Sequence, residues 1–147
     1  MDRRFSAKHP ETEFALRIGL PVIDRQHAEL VGRLEHLNAE REAQPGGDAF
    51  SLSLSRLGLQ IGEHFDTEEG ILRSCGMPDD LVREHVQAHT EILEQYARLN
   101  IELMAGMCRS REETLGLIRR WVVEHVLTHD SRIRDYLPQR NEGAKEP

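Results

Sequence analysis

The sequence predicts an all-α protein, an antiparallel up-down-up-down four-helix bundle with an irregular N-terminal arm. Apolar residues recur at steps of three and four along four segments, which is the period of a helix with one buried face. Gly and Pro interrupt this pattern between the segments, and no Val- and Ile-rich alternation indicates a sheet. Because helices joined by short loops become antiparallel neighbours, the four segments are expected to form one bundle.

The 147 residues have the length of one domain. We divide them into an arm over 1–23, a bundle over 24–137 and a polar tail over 138–147 that is expected to be disordered. The first helix is predicted to begin near Asp24, as its N-cap, and to end at the run Gln44-Pro45-Gly46-Gly47.

The remaining helices have their own start and stop signals. The second is predicted to begin at Asp48, which can cap it, and to end at Cys75-Gly76-Met77-Pro78. The third is predicted to run from about Asp79 to Gly106. Ser110-Arg111-Glu112-Glu113 has the capping-box pattern, Ser with Glu three residues on, and opens a fourth helix that ends near Leu137-Pro138.

Glycine and cysteine positions add two expectations. Gly58 and Gly62 lie inside the second helix, where each costs about 1 kcal/mol relative to Ala, and we expect them to let a neighbouring helix approach closely. Cys75 and Cys108 lie at opposite ends of the third helix, on the order of 40 Å apart, whereas a disulfide needs Cα atoms within about 7 Å. No intramolecular disulfide is expected.

Composition excludes several classes of function. Asp and Glu outnumber Lys and Arg 26 to 19, and the resulting net charge of −7 argues against a nucleic-acid-binding surface. No apolar run approaches the roughly 18–20 residues of a membrane span, and the N-terminus lacks a signal-type apolar core. Two cysteines do not form a disulfide framework, so a reducing, cytoplasmic setting is expected.

Polar residues on the apolar stripes carry the functional signal. Among them are five of the eight histidines, and the set consists of His27, His64, Glu68, His85, His89 and His125. The His64–Glu68 and His85–His89 pairs are four residues apart, so each pair projects from one face on successive turns. Burying so many polar groups is costly unless they satisfy one another or bind metal. Their convergence from four helices favours a metal site.

Ligand chemistry narrows this prediction. Imidazole suits Fe, Zn, Cu and Ni, and the lack of paired Cys argues against a thiolate site. A further ligand on the fourth helix stays open between His129, about 40° from His125 on an ideal helix, and Asp130, about 140° from it. Seven ligands exceed what one ion takes, so two metals are predicted. If two carboxylates and an oxo or hydroxo group bridge them, the five histidines split three and two, and one ion keeps an open position.

The same residues fall into ordered motifs along the chain. They are Ile23-Asp24-Arg25-Gln26-His27, His64-Phe65-Asp66-Thr67-Glu68-Glu69, His85 with His89, and Trp121-Val122-Val123-Glu124-His125 followed by Asp130. From about Ile18 to Leu137 this pattern resembles the bacterial hemerythrins. The resemblance implies a non-haem di-iron site, with an oxo or hydroxo bridge, that binds dioxygen reversibly. It implies that His85, His89 and His125 hold the saturated iron, that His27 and His64 hold the iron with the open position, and that Glu68 and Asp130 bridge.

Residues beside the ligands complete the expected site. Three apolar side chains are expected to wall the oxygen pocket, namely Phe65, Trp121 and Val122. By resemblance, Val122 packs beside bound O2, where relatives often have Leu. His129 either supports the ligands from behind or points into a groove, and Glu69 and His36 are interpreted as solvated surface residues.

The sequence therefore predicts a dioxygen-binding protein that stores, delivers or buffers O2 and is not an enzyme. One alternative is an O2 or redox sensor that acts through a separate protein partner. A di-iron oxidase or peroxidase-like enzyme is less favoured, because oxygen-activating ferritin-like sites use mostly carboxylates. Iron storage is disfavoured for the same reason, and a zinc-occupied bundle is the plainest remaining alternative.

Overall fold

The computed structural model describes residues 16–40, 48–106 and 110–137. Its four long helices are α1 Pro21–Glu40, α2 Asp48–Ser74, α3 Asp79–Met104 and α4 Arg111–His125. The α4 axis continues through a π-helical turn Val126–Asp130, a short helix Ser131–Ile133 and a 3-10 turn Arg134–Tyr136. No strand occurs within these ranges. α1 and α3 each pack against both α2 and α4, so the predicted four-helix bundle is confirmed.

The start of α1 differs from the prediction. The helix begins at Pro21 rather than near Asp24, because proline is well suited to the first helical position, where its missing N–H leaves no bond unmade. Asp24 lies inside the first turn rather than at the N-cap, and its N–H donates to the carbonyl of Leu20 at 2.9 Å. Its carboxylate instead accepts the N–H groups of Ile18 at 2.7 Å and Gly19 at 3.2 Å. Asp24 therefore anchors the end of the arm onto α1.

Other helix ends agree with the sequence signals. The Ser110 hydroxyl accepts the N–H of Glu113 at 3.0 Å while the Glu113 carboxylate accepts the N–H of Ser110 at 3.2 Å, which confirms the capping box. α3 ends just before Gly106, whose φ of 82° is a left-handed conformation that favours glycine. The cap assigned to Asp48, the turn at residues 44–47, Cys108, the arm over 1–15 and the tail over 138–147 lie outside the described residues or side chains.

Gly58 allows one close approach between helices. A Cβ at this position would lie 2.9 Å from Cε1 of Tyr96, so α3 can place the tyrosine ring directly on the α2 backbone. The ring is buried, and its hydroxyl donates to the carbonyl of Leu54. The expectation is confirmed for Gly58 and wrong for Gly62, where an added Cβ would meet nothing within 4 Å.

The core consists of two apolar clusters with a polar layer between them. On α1, for example, Ile23 belongs to the smaller cluster, Leu30 belongs to the larger one, and His27 lies between them. In the segment that continues α4 the order along the chain is reversed, as expected for an antiparallel neighbour of α1: Val126 belongs to the larger cluster and Ile133 to the smaller one. The two apolar clusters fix the helices on either side of the polar layer, so the side chains of this layer are held in place by packing above and below them.

Candidate metal centre

Seven polar side chains from all four helices meet in the layer between the two apolar clusters. Each is at most 5% exposed, although residues of these types are rarely buried so completely. They are His27 of α1, His64 and Glu68 of α2, His85 and His89 of α3, His125 of α4, and Asp130 of the π-helical turn.

These side chains form two groups that share their carboxylates. The first group, the three-histidine half, contains His85, His89 and His125 together with Glu68 and Asp130. The second, the two-histidine half, contains His27 and His64 with the same two carboxylates. Within each group one nitrogen or oxygen atom per residue lies within 4.8 Å of every other, so each half could hold a metal ion.

Glu68 faces both halves with different oxygen atoms. Its Oε1 lies 3.0 Å from Nε2 of His89 and 3.4 Å from Nε2 of His85, both in the three-histidine half. Its Oε2 lies 3.2 Å from Nε2 of His64 and 3.6 Å from Nε2 of His27. One carboxylate thus presents one oxygen to each half, which is the arrangement that a bridging ligand requires.

Asp130 repeats this division on the opposite side of the layer. Its Oδ1 lies 2.8 Å from Nε2 of His85 and 3.0 Å from Nε2 of His125, whereas its Oδ2 lies 3.0 Å from Nε2 of His27. Two carboxylates therefore span the same pair of histidine groups.

A π-helical turn brings Asp130 to this position. The N–H of Ser131 donates to the carbonyl of Val126, five residues earlier, so within this turn the chain needs one extra residue to return to the same face. Asp130, five residues after His125, consequently shares its face. The structure therefore brings Asp130, and not His129, into the two groups, although ideal α-helical spacing favoured His129.

Hydrogen bonds orient three of the histidine rings. Nδ1 of His27 donates to the carbonyl of Leu16 at 2.8 Å, Nδ1 of His64 to Oε1 of Gln26 at 2.7 Å, and Nδ1 of His89 to Oε2 of Glu69 at 2.9 Å. In each case the other nitrogen, Nε2, faces the shared carboxylates. Metal-binding histidines are commonly held in this way, with one nitrogen engaged by an acceptor and the other left for the metal.

Several buried atoms of the layer lack a hydrogen bond. Oε2 of Glu68 and both ring nitrogens of His125 have no hydrogen-bond partner in the described part of the chain. Leaving a buried polar atom unsatisfied costs about 1–3 kcal/mol, and more if it is charged. A metal ion coordinated by Glu68 Oε2 and a second coordinated by His125 Nε2 would satisfy two of these atoms, so the residues fit a metal pair.

The charges of the metal-free cluster support its carboxylates as anions. Burial alone would raise the pKa of Glu68, but the nearby imidazoles of His27, His64 and their neighbours outweigh it and hold that pKa well below its usual range. Burial and the charge of Glu68 would likewise raise the pKa of Asp130, but close contacts with the imidazoles of His125, His27 and His85 outweigh them and lower that pKa. Both carboxylates are available as anionic ligands at neutral pH.

The same contacts hold protons on two histidines when no metal is bound. Burial would lower the pKa of His27, but the hydrogen bond to Asp130 and the nearby carboxylate of Glu68 outweigh it and raise that pKa to about 10. Burial also opposes protonation of His85, whose pKa is raised to about 9 by the same two carboxylates. Metal binding at these residues must therefore displace protons.

The predicted apolar neighbours occupy different places. Phe65 is buried and stacks on the ring of His89, with centroids 3.8 Å apart and planes 12° from parallel. Val122 is buried in the larger apolar cluster. Trp121 is half-buried and lines a groove of about 460 Å³ between α3 and α4, together with His125 and His129.

His129 lies beside the ligands without joining either group. Its ring centroid is 5.1 Å from that of His125 and 5.5 Å from that of His85, and the side chain is half-buried in the α3–α4 groove. Burial and the neighbouring charges of His125 and His85 lower its pKa. His36 is exposed, as expected.

Sequence reasoning missed two residues that support the ligands. The interpretation of Glu69 as a solvated charge is wrong, because its carboxylate is only 20% exposed and accepts a hydrogen bond from His89. Gln26 holds His64 from α1 and is itself positioned by Thr67, at 3.3 Å. One signal in the sequence was their position next to candidate metal-binding residues, Gln26 before His27 and Glu69 after Glu68. Their contacts could not be predicted, because each reaches a histidine on a different helix and spacing along one helix does not show this.

Comparison with known proteins places the chain in a family. Residues 19–137 match the family described as the hemerythrin HHE cation binding domain, and the chain belongs to this family. Relatives include a bacteriohemerythrin of Stenotrophomonas maltophilia, 26% identical over 89% of this chain and 84% of the relative. Bacteriohemerythrins of Campylobacter jejuni, 23% identical over 81% and 88%, and Pseudomonas aeruginosa, 26% identical over 79% and 73%, are also similar.

No solved structure matches the chain significantly. No helix in the described ranges combines the length and apolar character needed to cross a bilayer.

Proposed function

We propose that the protein holds two iron ions between its helices and binds dioxygen reversibly, as a store, carrier or buffer of O2. The observation that carries the proposal is the division of each carboxylate between two histidine groups, with one oxygen toward each. Membership of the hemerythrin family and similarity to proteins named bacteriohemerythrin support it.

The ligand assignment follows the two halves. His85, His89 and His125 would hold one iron, His27 and His64 would hold the other, and Glu68 and Asp130 would bridge the pair. If the pair also shares an oxo or hydroxo group, the iron held by three histidines would be saturated and the iron held by two would keep a position for a small ligand. Iron held in this way would supply reversible electron transfer to O2.

The protein contributes orientation and exclusion of water. Phe65 stacks on His89 and covers one side of the three-histidine half, and the burial of the layer beside the larger apolar cluster, which includes Val122, would limit the entry of water. A dry site disfavours the release of a charged, reduced oxygen species, because a separated anion is poorly solvated there. This property suits reversible binding.

The donor set favours carriage over catalysis. Five neutral imidazoles and two carboxylates make a less anionic site than the carboxylate-rich centres of ferritin-like enzymes, and should support highly oxidised iron less well. We therefore assign no enzymatic role to the site.

Repeated oxygenation of the reduced protein tests the proposal. The iron-loaded chain, reduced without air, is mixed with O2 and then flushed with argon while its optical spectrum is followed. We expect a new absorption band that disappears on deoxygenation and returns over several cycles. Loss of the band in one cycle with turnover of a co-substrate would contradict carriage. His64→Ala should abolish the band, whereas the matched control His36→Ala, at an exposed histidine, should keep it.

A further inference from the structure

The two halves of the proposed metal pair differ in the residues behind their histidines, and this inference rests on that proposed pair. In the two-histidine half the supporting acceptors are neutral: the carbonyl of Leu16 behind His27 and the amide oxygen of Gln26 behind His64. In the three-histidine half the acceptor behind His89 is the carboxylate of Glu69, with Nδ1 and Oε2 2.9 Å apart. The halves therefore differ by one negative charge placed next to a ligand.

Glu69 is held in this position from several directions. It follows Glu68 directly, so when Glu68 points into the layer the next side chain is turned about 100° round the helix, here toward α3. Its second oxygen, Oε1, lies 3.5 Å from Nη2 of Arg73, one turn further along α2. The ring that it contacts is fixed as well, since Phe65 stacks on His89. Glu69 thus has a defined geometry rather than a freely solvated one.

A carboxylate behind an imidazole changes what the ring offers to a metal. By drawing the Nδ1 proton toward itself, it makes Nε2 a more basic donor, and it adds a negative charge near the ion. A neutral carbonyl or amide oxygen orients the ring in the same way with a smaller effect on its basicity. The three-histidine half accordingly combines one more imidazole with the stronger supporting acceptor.

We propose that the two metal positions fill in a set order, the three-histidine half first, and that Glu69 is the positioning residue that sets this order through its hydrogen bond to His89. Gln26 occupies the corresponding place in the two-histidine half. The chain therefore supplies its own reciprocal pair of substitutions: Glu69→Gln removes the carboxylate from one half, and Gln26→Glu adds one to the other.

Stepwise binding of Zn²⁺ tests this order without relying on oxygen binding. The full-length, iron-free chain is titrated with Zn²⁺ against a competing chelator, and the affinities of the two binding steps are determined. For Glu69→Gln we expect the tighter step to weaken by about 10- to 100-fold, the usual effect of removing such a supporting residue, and the weaker step to stay near its original value. For Gln26→Glu we expect the weaker step to tighten by about 10-fold or more.

Asp66→Asn is the matched control, because it removes the same charge from an exposed position one turn before Glu69 on α2. The affinities of both Zn²⁺-binding steps in this variant should stay within about twofold of those of the unmodified chain. Glu69→Gln behaving like this control, or weakening only the weaker step, would overturn the inference while leaving the metal pair intact. If Glu69→Gln does not fold, an unchanged weaker step in Gln26→Glu would overturn it instead. Binding of fewer than two Zn²⁺ ions by the unmodified chain would overturn the pair itself and this inference with it.

Discussion

At the scale of single residues, the site depends on which atom each side chain presents to the polar layer. Each carboxylate divides its two oxygens between the two halves, and three rings have Nδ1 engaged by an acceptor so that Nε2 faces inward. The identity of the histidines and of Glu68 could be predicted from sequence, because polar residues on an apolar stripe are conspicuous and their spacing is local. The role of Glu69 could not, because it depends on the position of α3 relative to α2.

Asp130 and its neighbour His129 provide one test at this scale. Asp130→Ala should lose at least one of two iron ions, because it removes a carboxylate that belongs to both groups. His129→Ala should retain both, because His129 belongs to neither group. Iron analysis after desalting measures the difference. An Asp130→Ala protein with both irons, alongside a depleted His129→Ala protein, would transfer the ligand role to His129.

Val122 provides a second residue-scale test. The side chain is buried in the larger cluster. From the family resemblance we expect it to pack beside bound O2, at a position where relatives often have Leu. Because Val is smaller, the unmodified protein should admit water more readily and autoxidise faster than Val122→Leu. The decay of the oxygenated spectrum in air gives both rates, and equal rates would refute the expectation.

The helices and their ends show which parts of an element are encoded locally. The capping box at Ser110 and the end of α3 before Gly106 were predictable, because such signals act within one turn. The π-helical turn that contains Asp130 was not, because periodicity read from the sequence assumes 3.6 residues per turn, whereas this turn has one more residue and so brings Asp130 onto the face of His125. The start of α1 at Pro21 was missed because two start signals lie three residues apart.

Two glycines of α2 offer a matched test of helix packing. Gly58→Ala and Gly62→Ala should gain the same helix propensity, about 0.5–1 kcal/mol. Only the first also places a Cβ 2.9 Å from the Tyr96 ring, which is buried and bonded to Leu54 and so is not free to move aside. Overpacking of this kind costs about 1–3 kcal/mol, and the two variants should differ by that amount in free energy of unfolding. Urea unfolding measures it; equal stabilities would show that α3 yields to the added methyl group.

At the scale of the whole molecule, the bundle holds a polar layer between two apolar clusters, and the stability of this arrangement is linked to protons and metal. Without metal, the layer is stabilised by pairing of protonated histidines with Glu68 and Asp130. With metal, the same side chains must be deprotonated. The bundle itself was predictable from apolar periodicity. The replacement of protons by metal ions could be recognised only from the distances between side chains on different helices.

The metal-free protein should therefore lose stability as pH rises above neutral. The pKa values of His27 and His85 rise from 6.5 to about 10 and about 9 on folding, so their stabilisation is complete below pH 6.5 and is lost as pH rises through 9 to 10. The metal-loaded protein should not follow this decline, because metal competes better as protons leave. Urea unfolding at pH 6.5 and 9, with chelator and with bound metal, compares the two forms. A gain in stability of the metal-free form over this interval would contradict the pairing.

We propose that these seven side chains together hold two iron ions. The most direct measurement is the iron content of the purified full-length chain after reconstitution with ferrous ion under argon and removal of loosely bound metal. We expect two tightly bound iron ions per chain, one in each of the halves that share Glu68 and Asp130. A value below two, reproduced after repeated reconstitution, would contradict it.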